Sequence, residues 1–194
     1  ELTALKPGSA IGILGGGQLG RMLAMAAARF SYKVIIFDPE ENAPAAQAAN
    51  CHVSAAYDDQ PALEAFARRC DVVTYEFENV PVAAAKTISA IVPVFPKPNA
   101  LEAAQDRVIE KTFLNSIGVE TAPFRAIDSL ADLTAALAAF GGSVVLKTRR
   151  FGYDGKGQAV LKNAGADEAA KALGDLGGAG LILEVFVPFE AEIS

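Results

Sequence analysis

In the first half of the chain, short apolar runs alternate with stretches of helical pattern. Ala10–Leu14 reads as a buried strand, and Lys33–Phe37 is a second apolar run that ends at Asp38. Further apolar runs lie near 51–54, 72–77 and 91–95, with helical patterns at 18–30, 61–69 and 81–90. Continuous apolar strands separated by helices are typical of a parallel sheet covered on both faces. The pattern therefore predicts an α/β domain.

Prolines at 93, 96 and 98 mark the predicted end of this domain, because a central strand cannot run through all three. We therefore place domains at 1–98 and 99–194. Asn99, with Glu102 in a capping-box position, predicts a helix that runs to Ile117 and stops at Gly118. The remaining pattern predicts helices at 129–140 and 167–176, and strands at 144–148, 158–161 and 181–187. The second half thus reads as a smaller α+β unit.

The composition fits a folded protein and limits its partners. Of 194 residues, 52% are hydrophobic and 21% are charged, and the formal net charge is -6. An acidic chain is a poor general binder of nucleic acid, although one basic site can still hold a small anion. Cys51 and Cys70 have no metal-ligand spacing, and we expect reduced thiols. No segment reaches the length of a membrane span, so we expect no membrane partner and a cytoplasmic location.

The first glycine loop is the segment 15–20, Gly-Gly-Gly-Gln-Leu-Gly, which satisfies the pattern G-x-G-x-x-G between a strand and a helix. Asp38 stands at the end of the second strand, where a ribose-binding acid of a dinucleotide site would lie. Taken alone, the loop is typical of an NAD(P)-dependent oxidoreductase, or of a tight turn without a ligand. Gln18 and Arg21 favour a bound phosphate ester, because they place an amide and a fixed positive charge near a helix N-terminus.

The second glycine loop follows the predicted strand 144–148, which carries Lys147 near its end. Gly152, Gly155 and Gly157 follow, together with Lys156. This is neither a Walker loop nor a kinase arrangement, in which the glycine loop precedes the strand lysine. A lysine held on a strand can contact nucleotide phosphates, and a glycine-rich loop can close over them. The alternative is an exposed basic hairpin without a ligand. The apolar side chains at residues 151 and 153 argue against it, because a solvated loop tip is usually polar.

Four segments, taken together and in this order, resemble the 5-(carboxyamino)imidazole ribonucleotide synthase family of the ATP-grasp superfamily. They are Gly15–Met22, Thr74–Val80, Ala104–Arg107 and Lys147–Gln158. The resemblance extends from about residue 10 to residue 194. It implies a Rossmann-like preATP-grasp domain on the acceptor-nucleotide side, followed by the first, α+β part of an ATP-grasp domain.

The resemblance also implies a reaction. Members of this family use ATP and bicarbonate to carboxylate the exocyclic amine of 5-aminoimidazole ribonucleotide by way of carboxyphosphate, in purine biosynthesis. Magnesium is expected, with its ligands in the part of the family's sequence that follows residue 194, so no metal ligand is expected in this chain. We expect small-molecule substrates, a homodimer, and no carboxylating activity from these 194 residues alone.

Carried over by motif, the resemblance implies two sets of binding residues. The ATP-binding set is Arg107, Lys147, Gly152, Tyr153, Asp154, Gly155, Lys156, Gly157, Gln158, Glu184, Val187 and Glu192. The set for the acceptor nucleotide is Gly17, Gln18, Leu19, Arg21 and Glu76. Tyr153 and Asp154 are the catalytic candidates, with Asp154 handling the proton of the amine.

Three other interpretations remain open at this point. An NAD(P)-dependent oxidoreductase explains the first loop and Asp38 but leaves 147–158 without a purpose. A different ATP-grasp enzyme, such as a formate-dependent glycinamide ribonucleotide transformylase or a biotin-carboxylase-like protein, is disfavoured by Gln18 and Tyr153-Asp154. The last is a nucleotide-binding module without catalysis.

Overall fold

The computed structural model describes residues 4–152, 157–178 and 180–191. Contacts between Cα atoms divide the chain into two compact units, Glu1–Glu102 and Ala103–Ser194. The predicted domains meet between residues 98 and 99, a few residues earlier. Within the described ranges, no helix combines the length and the apolar character needed to cross a bilayer.

The first unit is built on a four-stranded parallel sheet with the strand order β3-β2-β1-β4. Its elements are β1 (Ala10–Leu14), α1 (Gln18–Arg29), β2 (Lys33–Phe37), a 3-10 helix (Pro44–Gln47), β3 (Cys51–Val53), α2 (Gln60–Ala67), β4 (Val72–Tyr75), α3 (Val82–Ser89) and α4 (Pro98–Ala104). Successive side chains of a strand point to opposite faces. One face therefore packs Ile13 and Ile36 against Ala24 of α1, and the other packs Leu14 and Phe37 against α2 and α3. Both faces are covered, which confirms the α/β prediction.

The second unit is built on an antiparallel sheet with the order β5-β8-β6-β7. Its elements are α5 (Arg107–Ser116), β5 (Phe124–Ile127), α6 (Leu130–Phe140), β6 (Ser143–Thr148), β7 (Gln158–Lys162), α7 (Ala166–Asp175) and β8 (Leu181–Val185). Leu146 and Leu183 face a core shared with α6 and α7. Because side chains alternate, Lys147 and Glu184 lie on the other face of this sheet.

Several predicted elements differ from the structure. The single helix predicted from 99 to 117 is two helices, because the carboxylate of Asp106 accepts hydrogen bonds from the N–H groups of Val108 and Ile109 and so starts α5. Glu102 does not cap α4; it pairs with Lys86 at 2.9 Å. The run 91–95 forms only an isolated bridge between residues 73 and 94, and β8 ends at residue 185. Strand β5 was not predicted, because it carries Arg125 and exposes its centre.

Candidate functional site

The first glycine loop wraps around a carboxylate. β1 and β4 are parallel neighbours, so the chain segments that follow Leu14 and Tyr75 leave the sheet at the same edge. Gly15 has φ of 100°, and a Cβ built there would lie 2.8 Å from Cγ of Glu76. Glycine at this position therefore serves two needs, a left-handed backbone and a close approach to Glu76.

Two backbone N–H groups of this loop already bind side chains of the chain itself. The N–H of Gly17 donates to Oε1 of Glu76 at 3.0 Å, and the N–H of Gly16 donates to Oδ2 of Asp38 at 2.7 Å. The hydroxyl of Tyr57 also donates to Asp38, at 3.3 Å. Burial and the neighbouring carboxylate of Asp38 raise the pKa of Tyr57. A pyrophosphate at this loop would face two carboxylates, which disfavours the dinucleotide interpretation.

The predicted acceptor residues fall into two groups. Gly17 and Glu76 are in direct contact, and the exposed Gln18 begins α1 beside them. Leu19, in the same turn, is 58% exposed. Arg21 instead donates to the side-chain oxygen of Gln47 at 3.2 Å. Gly17, Gln18 and Glu76 therefore lie together, whereas the side chain of Arg21 is turned towards the 3-10 helix.

Lys147 belongs to a cluster of three charged side chains in the second unit. Val145 is the residue of β6 that pairs with Glu184, so Lys147 is a diagonal neighbour on the same face of the sheet. Such neighbours are within reach of long side chains. Nζ of Lys147 lies 3.0 Å from Oε2 of Glu184, and Nζ of Lys111, on α5, lies 3.5 Å from the same oxygen.

The electrostatics of this cluster favour an anionic ligand. The side chain of Glu184 is 9% exposed and that of Lys147 is 25% exposed. Oε1 of Glu184 is buried and has no hydrogen-bond partner within the described part of the chain. Two ammonium groups and one carboxylate leave a net positive charge. Lys147 is thus neutralised in part, yet remains open to solvent and to a phosphate.

Arg107 holds the start of the second glycine loop. Its guanidinium donates to the carbonyl of Thr148 at 2.8 Å and to that of Gly152 at 2.9 Å. The N–H of Thr148 donates to the carbonyl of Gly157 at 2.8 Å. A Cβ on Gly152 or Gly157 would lie 2.9 or 2.8 Å from Oγ1 of Thr148. The described ends of the loop therefore converge on Thr148, and Arg107 is not a solvated surface arginine.

Asp106 and Arg149 form a second ion pair in this unit. Nη2 of Arg149 lies 2.8 Å from Oδ2 of Asp106. Burial by itself raises the pKa of Asp106, but hydrogen bonds from Arg149 and from two backbone N–H groups outweigh it and lower that pKa. The pair fixes the start of α5, and with it the position of Arg107.

The other predicted residues stand as follows. Tyr153, Asp154, Gly155, Lys156 and Glu192 lie outside the described residues. Gln158 begins β7 and is exposed, and Val187 is 53% exposed beyond the end of β8. Sequence reasoning missed Lys111, whose only signal is its position four residues after Arg107 on one helix face.

The order of parts in the second unit defines a class of protein. A strand lysine, a glycine hairpin and an antiparallel strand with an acid beside the lysine are the parts of an ATP-grasp unit. Residues 9–105 match the family model of the ribonucleotide synthetase preATP-grasp domain, and residues 112–194 match that of the ATP-grasp domain.

Three relatives indicate to which family of ATP-grasp proteins the chain is most similar in sequence and structure. The chain is 56% identical over 194 residues to the N5-carboxyaminoimidazole ribonucleotide synthase of Brucella melitensis biotype 1, covering all of this chain and 54% of that protein. It is similar to a crystal structure of an ADP complex of N5-carboxyaminoimidazole ribonucleotide synthetase, with TM-score 0.89, 40% identity, and coverage of 96% and 49%. It is also similar to the synthase of Aspergillus clavatus in complex with ADP and 5-aminoimidazole ribonucleotide, with TM-score 0.82, 29% identity, and coverage of 95% and 48%.

The chain therefore belongs to the N5-carboxyaminoimidazole ribonucleotide synthase family, as its motifs predicted. It spans about half the length of the curated relatives it matches, 54% in the case of the Brucella protein.

Proposed function

We propose that the protein carrying this chain uses ATP and bicarbonate to carboxylate the amine of 5-aminoimidazole ribonucleotide. Bicarbonate attacks the γ-phosphate of ATP, which gives carboxyphosphate and ADP. The amine then takes up the carboxyl group from carboxyphosphate, or from carbon dioxide released from it, and phosphate leaves. The Aspergillus relative, whose structure holds ADP together with 5-aminoimidazole ribonucleotide, supports this choice of substrates.

The observation that carries the proposal is the excess of positive charge at Lys147. Phosphoryl transfer depends mainly on positioning and on neutralising the charge of the phosphates. Lys147 lies on a rigid strand, beside the hairpin whose ends converge on Thr148, and the second cation, Lys111, offsets its carboxylate partner. This arrangement suits a polyphosphate, whereas the carboxylates of the first loop do not.

We propose the following residue roles, which the resemblance of the motifs to the family supports. Arg107 and Lys147 contact the phosphates, residues 152–158 form the lid, Glu184 and Val187 meet the adenine, and Glu192 meets the ribose. The first loop, with Gln18, Leu19, Arg21 and Glu76, holds the acceptor nucleotide. In that loop, carboxylates suit hydroxyl or amine donors better than phosphate oxygens. Tyr153 and Asp154 serve the carboxyl transfer, with Asp154 handling the amine proton.

Magnesium remains part of the proposal, together with a homodimeric state and a cytoplasmic location. Within the ranges that the structure describes, no group of three His, Cys, Asp or Glu side chains is placed to hold a metal ion.

An ADP-release assay on the complete gene product tests the proposal. We expect release of ADP that requires both bicarbonate and 5-aminoimidazole ribonucleotide, with omission of each as the control. Activity with formate and glycinamide ribonucleotide instead would favour the other ATP-grasp candidate. Tight NADH binding with no response to ATP would favour the oxidoreductase. If Asp154→Asn left turnover unchanged, the role of Asp154 would be excluded.

A further inference from the structure

Lys111 is a cation at the candidate nucleotide site to which neither the sequence motifs nor the proposed roles assign a purpose. It lies on α5 one turn after Arg107, on the same helix face. Its Nζ is 3.5 Å from Oε2 of Glu184, and its side chain is only 17% exposed. Lysine is rarely buried to this degree without a partner, and Glu184 is the partner of Lys111.

The carboxylate of Glu184 has two lysine partners, one more than a single ion pair requires. Lys147 is its nearer partner, at 3.0 Å, and already supplies a complete ion pair. Both lysines approach Oε2, while Oε1 is buried without a hydrogen-bond partner among the residues described. The carboxylate therefore has one oxygen that two lysines share and one oxygen that is buried without a donor among the residues described. A buried acceptor left without a donor is costly, so the position of Glu184 depends on its two lysine contacts.

A bound nucleotide would give the ammonium of Lys147 a second anionic partner. A phosphate group competes with Glu184 for the ammonium of Lys147. A buried carboxylate that is left without any cation is strongly destabilised. We infer that Lys111 is a positioning residue that holds the carboxylate of Glu184 in place beside the adenine while Lys147 contacts phosphate. The inference rests on the proposed function, since it requires a nucleotide at Lys147.

A Glu184 carboxylate that is fixed in place also makes the site selective for the base. A carboxylate accepts a hydrogen bond from the 6-amino group of adenine and repels the 6-keto oxygen of hypoxanthine or guanine. Without Lys111, the carboxylate loses one of its two lysine contacts while Lys147 binds phosphate, and its position against the base is no longer fixed. Loss of Lys111 should therefore weaken ATP binding and relax the preference for ATP over a 6-keto nucleotide.

The test uses the complete gene product and inosine triphosphate, which has a keto oxygen where ATP has an amine. We compare kcat and KM for both nucleotides in the wild type, Lys111→Met, Lys111→Arg and Lys171→Met. Lys171 is an exposed lysine on α7 of the same unit and is the matched control. For Lys111→Met we expect KM for ATP to rise about tenfold, kcat to change by less than about threefold, and the ATP preference to fall about tenfold.

The remaining variants make the outcome decisive. Lys111→Arg should retain the ATP preference because it keeps the charge, and Lys171→Met should match the wild type. An unchanged ATP preference in Lys111→Met, or equal losses for both nucleotides, overturns the inference. Should Lys111→Met not fold, as judged by its melting temperature, Lys111→Gln replaces it under the same criteria. A wild type that does not use ATP at all overturns the proposed function instead, so the two failures are distinguishable.

Discussion

The two glycine loops of this chain are similar in composition and opposite in charge environment. In the first loop, the N–H groups of Gly16 and Gly17 bind the carboxylates of Asp38 and Glu76. In the second unit, Lys147 and Lys111 converge on the single carboxylate of Glu184, next to the glycine hairpin. One loop is lined with negative charge, and the other lies beside an excess of positive charge.

A glycine loop therefore specifies a backbone conformation and not a ligand. Glycines allow positive φ and a close approach, whatever group then comes near. The charges that tertiary structure places beside the loop decide whether a phosphate is attracted or repelled, and they act strongly at partly buried positions. For this reason the first loop, which fits a dinucleotide pattern, is the poorer polyphosphate site.

Removal of the charge of Lys147 should have the largest effect. Lys147→Met in the complete gene product should lower ATP-dependent turnover at least about 100-fold, because it removes a preorganised cation from the transferring phosphate. The measurement is ADP release at saturating acceptor. Lys162→Met, an exposed lysine on the neighbouring strand β7, is the control and should keep wild-type turnover. Equal activity of the two variants would contradict a polyphosphate site at this position.

A smaller effect separates backbone strain from the packing of Glu76. Gly15→Ala combines a φ of 100° with a Cβ 2.8 Å from Glu76, whereas Gly8→Ala has a φ of 93° and nothing within 4 Å. We expect Gly8→Ala to lose about 1 kcal/mol of unfolding free energy and Gly15→Ala about 2–4 kcal/mol. Denaturant titration gives both values. Equal losses would show that the first loop does not depend on its close approach to Glu76.

The smallest effect concerns the pH dependence of the ion pair between Asp106 and Arg149. The pKa of Asp106 is lowered below its ordinary value of 3.8. The contribution of its charge to the free energy of unfolding is therefore present above that pH and is lost as the pH falls further. Asp106→Asn keeps an N-cap side chain but loses the charge, and we expect it to cost about 1 kcal/mol at neutral pH. The stability of the variant should then fall less steeply below pH 4 than that of the wild type, as followed by urea denaturation. Parallel pH profiles would exclude a charge effect.

Local signals predicted most of the elements and both loops. The apolar runs at Ala10–Leu14 and Lys33–Phe37 define their strands because burial on both sheet faces requires continuous apolar sequence. The break between α4 and α5 was missed, since an aspartate inside a helical pattern does not show in advance that it will cap a new helix. Strand β5 was missed because half of it is exposed and carries a charge.

Most of the strands and helices, both glycine loops and the family of the chain could be predicted from the sequence. Those properties depend on neighbouring residues, on hydrophobic periodicity and on the conformational freedom of glycine. Only the tertiary structure decided which charges meet. Lys147 and Glu184 are 37 residues apart, and the register of β6 against β8 brings them together. Lys111 reaches the same carboxylate from α5, whose N-cap, Asp106, is paired with Arg149, the residue that follows β6.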